Sequence, residues 1–113
     1  MRGPLGSLLL AASLAGCGSQ TDTQLEGVKT ARSVLAEWAL VEEQAAKDRT
    51  PATYTRMLRK HARDELQTAQ QELKEQPAAA RLIDRIVTGS PTADALHRAD
   101  AALEPLEKQL ESA

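Results

Sequence analysis

Proline punctuation narrows the folds open to this chain more than any other feature. Thr50-Pro51, Pro77 and Ser90-Pro91 divide residues 23–113 into four stretches. Within each, apolar residues recur every three or four positions, the spacing of a helix with one buried side. The first stretch, Thr23 to Lys47, puts Val28, Ala31, Val34, Leu35, Trp38, Ala39, Val41 and Ala45 on one broad face. Glu26, Lys29, Ser33, Glu37 and Gln44 fall opposite. The second stretch runs from Pro51 to about Glu75, with Tyr54, Met57, Leu58, Ala62, Ala69 and Leu73 sharing a face. A threonine or serine before proline offers a cap, then a first helical residue whose missing N–H costs nothing. The short turn at Asp48–Thr50 makes these two helices antiparallel neighbours.

Pro77 stops the second helix, because the residue before a proline is pushed out of helical geometry. Ala78 to Thr88 forms a shorter helix carrying Leu82, Ile83, Ile86 and Val87, and Gly89 terminates it. Leu96, Ala99, Leu103, Leu106 and Leu110 then give the last helix a 3-4-3-4 seam. Pro105 sits inside that seam and is expected to kink or split the helix. The expectation is an all-α fold over residues 24–113: a small antiparallel helical bundle of three long helices plus one short helix.

Composition supports this. Trp38 and Tyr54 are the only aromatic residues, and there is no phenylalanine. The core must be aliphatic, which suits close helix packing better than sheets. With one cysteine, no intramolecular disulfide can form. The formal net charge is −2, and losing Arg2 with a leader would make it −3. That near balance argues against nucleic acid as a partner. No Gly-rich phosphate loop, zinc-ligand spacing or calcium loop occurs, so no cofactor or metal is expected.

The N-terminus has a different character. Arg2 is followed by Leu5, Leu8, Leu9, Leu10, Ala11, Ala12 and Leu14, and then by Ala15, Gly16 and Cys17. A charged start, an apolar run and small residues before a cut site make a secretory signal. The run is too short to span a bilayer, which takes about 20 apolar residues. Leu14-Ala15-Gly16-Cys17 resembles the lipobox of bacterial membrane lipoproteins. The resemblance implies diacylglyceryl transfer to the Cys17 thiol, cleavage after Gly16 and acylation of the new amino group. Residues 1–16 would be the signal peptide, and residues 17–23 a lipidated cysteine with a polar tether. It also implies a cell-envelope location, anchored to the membrane by lipid. Gly18 in place of an aspartate leans to the outer membrane, facing the periplasm, if the organism is Gram-negative.

Two groups of residues could carry function. Glu42 on the first helix, with His61 and Glu65 on the second, interrupt the apolar faces and could meet as a polar cluster in the core. Such a cluster acts as a structural lock or, less readily, as a ligand or metal site. Arg56, Arg59, Lys60 and Arg63 form a basic face on the second helix, suited to an anionic lipid, a cell-wall polymer or a protein partner. His97 reads as a surface residue. No serine or threonine stands beside a histidine and an acid at helical spacing, so nothing points to catalysis. The sequence therefore suggests a non-catalytic accessory protein of the envelope that binds a protein partner. Alternatives are an anionic polymer or lipid on the basic face, and a metal or small ligand at the polar cluster.

Overall fold

The computed structural model describes the backbone of residues 2–113 and the side chains of residues 20–113. Four helices follow one another: α1 (Arg2–Ala46), α2 (Ala52–Glu72), α3 (Pro77–Thr88) and α4 (Ala93–Glu111). Among the described residues there is no strand, and the fold is all-α as the sequence leads one to expect. Helix α1 packs against both α2 and α4, and α3 touches α2 and α4, closing the bundle. The side chains of Cys17 and of the expected signal peptide, residues 1–16, lie outside the described residues. Residues 20–23, the end of the expected tether, are part of α1. Among the described residues no helix is long and apolar enough to cross a membrane.

The core is built from the helical stripes of all four elements. Val28, Ala31, Val34, Leu35, Trp38 and Ala39 are buried from α1, and Leu96, Ala99, Leu103 and Leu110 from α4. From α3 come Ala79, Ile83, Ile86 and Val87. Leu25, Val41, Leu82 and Leu106 pack against this core from its edge. Each fully buried Leu, Ile or Val stabilises the fold by roughly 1.5–3 kcal/mol relative to exposure. Helix α1 comes close to the end of α2 at Gly27. A Cβ there would sit 2.9 Å from the Glu72 Cβ and 3.3 Å from the Leu73 Cγ, so no larger residue fits without moving a helix.

The structure corrects the sequence expectation in three places. Tyr54 and Met57 are exposed, at 49% and 59%, rather than packed in the core. The buried line of α2 is Thr55, Ala62, Leu66, Ala69 and the capping Leu73. Met57 lies about 160° round the helix from Thr55, so the two cannot share a face. Thr55 is tolerated inside because its hydroxyl donates to the Pro51 carbonyl at 3.2 Å.

The second correction concerns the helix starts. Pro51 is the N-cap of α2 rather than its first helical residue, and no side chain caps it. Thr92 caps α4 in place of Ser90, its Oγ1 accepting from the Ala95 N–H at 3.1 Å. Only Pro77 takes the first helical position. The third correction is that α4 is not split at Pro105 but runs through it as a single helix. Pro105 and Ala101 both face solvent, so the carbonyl left without its helical donor can be hydrated. The α1–α2 turn closes on Asp48, whose φ of 54° is a left-handed conformation that aspartate tolerates.

Candidate binding cleft

The antiparallel pairing of α1 and α2 brings the last turns of α1 level with the first half of α2. The loop between α3 and α4 closes the same end. A cleft of about 490 Å³ opens between them. Arg56, Arg59, Lys60 and Arg63 line it together with one carboxylate, Glu42. Trp38 belongs to its lining from α1, and Ser90 and Pro91 to its wall from the loop.

The four cations do different things. Arg59 grips Glu42 with both arms of its guanidinium, Nε donating to Oε2 at 2.7 Å and Nη2 to Oε1 at 2.8 Å. The buried Trp38 indole N–H donates to the same Oε2 at 2.8 Å. A two-point arginine–carboxylate contact of this kind is charge-assisted and geometrically specific. Arg63 lies over the Trp38 ring, 4.9 Å from its centroid. It also donates to the carbonyls of Val87 at 3.2 Å and Gly89 at 3.0 Å, at the end of α3. A cation there satisfies carbonyls that the helix leaves open. Lys60 pairs with Asp64 at 2.9 Å, but both side chains are largely exposed and the pair contributes little. Among the described residues Arg56 pairs with no carboxylate.

The expected core cluster of Glu42, His61 and Glu65 does not assemble. Glu42 turns to Arg59 in the cleft. His61 is an exposed residue whose Nε2 lies 2.7 Å from Glu65 Oε1. His61 and Glu65 border a shallow depression lined also by Val34, Leu58 and Ala62, whereas Glu42 lines the basic cleft; Trp38 borders both. Glu42 and His61 thus face different depressions. Among the described residues no three His, Cys, Asp or Glu side chains gather as metal ligands. His97 is exposed, as expected, and its ring contacts Glu43 at 2.9 Å.

Sequence reasoning passed over Arg32. Its Nε donates to Asp100 at 2.7 Å and Nη1 to Glu107 at 2.8 Å, with Glu104 at 3.7 Å. These contacts fasten α1 to α4. The signal was available, because Asp100, Glu104 and Glu107 recur at helical spacing and leave an acidic stripe in want of a cation.

The hydrogen bonds from Arg59, aided by that from Trp38 and by the charge of Arg63, hold the Glu42 carboxyl below the usual glutamate value of 4.5 despite partial burial. A carboxyl whose folded pKa is depressed stabilises the fold above its unfolded pKa. That contribution is lost as pH falls from the ordinary carboxylate range through the lower folded value. Lowering pH through and below 4.5 is expected to reduce the melting temperature of the wild type. Glu42→Gln should show a smaller fall over the same window. Equal slopes in the two proteins would mean that Glu42 carries none of the acid sensitivity.

Comparison with protein-family models, curated proteins and solved structures yields no match for this chain. Fold and cleft together define a small all-helical bundle with a cation-lined cleft at the end where α1 meets α2.

Proposed function

We propose that this chain is a lipid-anchored, non-catalytic accessory protein of the cell envelope whose helical domain binds a protein partner. The observation that carries the partner reading is the surface beside the cleft. Met57, one of the three large apolar side chains exposed among the described residues, lies about 60° round α2 from Lys60 of the cleft. Methionine and arginine are enriched where proteins meet. The lipobox-like Leu14–Cys17 supports the anchor, and the outer membrane facing the periplasm is the proposed place in a Gram-negative cell. Residues 20–23 already belong to α1, and from Gln20 to Glu42 the helix rises about 33 Å. The cleft is thus carried well away from the anchor and presented to something other than the anchoring membrane.

The anchor has a direct test. Cys17→Ser is expected to abolish incorporation of a fatty-acid analogue and leave an uncleaved precursor. Equal labelling of wild type and mutant would end the lipoprotein reading. For the partner, a photo-cross-linking residue at Met57 in intact cells should capture a discrete protein, and one at the exposed Ala101 of α4 should not.

A second reading, an anionic polymer held by the basic face, is favoured by the four cations that line the cleft. It is narrowed by their occupation, since Arg59 is committed to Glu42 and Arg63 to the end of α3. Replacing all four cations with glutamine would therefore disturb the fold as well as any binding, and cannot serve as a clean test of the surface.

A further inference from the structure

We infer that the cleft and its flank recognise an acidic amphipathic helix of the partner protein, with Arg56 as the principal carboxylate contact. The inference rests on the partner reading above and adds the chemistry of what is bound.

Three observations lead to it. First, the charge is available. Arg56 has no carboxylate partner among the described residues, and Arg63 is held by backbone carbonyls and a ring rather than by an acid. Lys60 can exchange its solvent-exposed Asp64 for another carboxylate at little cost. Second, the cations are spaced like a helix ridge. Arg56 and Lys60 stand at i and i+4 on α2, about 6 Å apart along the axis, with the committed Arg63 a turn further on. A second helix lying alongside, with acids at the same spacing, meets the first two one for one. Third, an apolar side chain lies beside the charged row. Met57 stands about 60° round α2 from Lys60 and is exposed. A helix with an acidic row and an adjoining apolar row complements both. A flexible phosphate or uronate polymer complements the cations alone and leaves Met57 in water.

The test uses the purified full chain and three probes: a helical peptide with glutamates at i, i+4 and i+7 beside a leucine row, polyglutamate, and inorganic polyphosphate. Trp38 is the only tryptophan in the chain and lines the cleft beneath Arg63, so its emission reports occupancy directly. The amphipathic peptide is expected to bind at low salt and to weaken strongly as salt rises, because exposed charges are screened. Arg56→Gln should weaken it by about tenfold or more, equivalent to about 1.4 kcal/mol. Met57→Ser should also weaken it, and neither substitution should move the melting temperature. No binding of the peptide at low salt overturns the inference. So does polyphosphate or polyglutamate binding as tightly as the peptide with no loss in Met57→Ser, which would make the cleft a site for anions in general. The two levels fail separately. A cellular cross-link at Met57 without peptide binding removes the acidic helix and keeps the protein partner. Peptide binding without any cross-link removes the partner reading instead.

Discussion

Trp38→Ala is expected to remove about 3–5 kcal/mol of stability, the cost of truncating a large buried aromatic residue. Small domains have only about 5–15 kcal/mol in total, so the variant should be partly unfolded at physiological temperature. The side chain is 1% exposed and stands where three interactions converge. Its ring fills the core of α1. Its indole N–H serves Glu42. Its face supports Arg63, which in turn ties α2 to the end of α3. Trp38→Phe separates these roles, keeping most of the apolar volume while leaving Glu42 without one donor. Urea denaturation followed by circular dichroism should rank wild type above Trp38→Phe and Trp38→Ala lowest. A midpoint for Trp38→Ala equal to that of the wild type would mean that the residue is not packed as described.

The second large effect is expected at Leu66, which is fully buried on α2. Leu66→Ala should cost about 2–5 kcal/mol, depending on how far its neighbours close the space. Met57→Ala, nine positions earlier on the same helix, should change stability by less than about 0.5 kcal/mol, as most exposed positions do. The contrast tests which side of α2 faces the core. If Met57→Ala proved the more damaging, the helix would have to be rotated.

That contrast also marks where the sequence is legible. The four-helix pattern, the α1 stripe and the α4 seam follow from periodicity and proline spacing, and the structure keeps nearly all of their residues in place. On α2 the pattern is weaker. Ala62, Ala69 and Leu73 of the expected face are buried, but Thr55 and Leu66 complete the line while the large apolar Tyr54 and Met57 lie off it. A reading weighted by side-chain size near the start of the helix is drawn away from Thr55. The proline signals were right about where helices change and off by a residue or two about which group caps them, because capping is decided by local hydrogen bonding. The basic residues were recognisable as a group, but their separate duties were not. Whether an arginine grips a carboxylate, closes a helix end or stays free depends on what the neighbouring helices bring opposite it. The absence of the Glu42–His61–Glu65 cluster has the same origin. Axial level can be read from a short turn, whereas the rotation of each helix is set by contacts with α3 and α4.

The central place of α1 has a consequence for the order in which the molecule is completed. Its contact with α2 closes through a turn of a few residues, and loops that short form quickly. Its contact with α4, including the grip of Arg32 on Asp100 and Glu107, spans 68 and 75 positions of chain. Until α4 has been synthesised, one flank of α1 has nothing to cover it. Helix α4 therefore acts as the closing stave, and a chain interrupted before Leu96 keeps an open, aliphatic seam that the folded bundle hides.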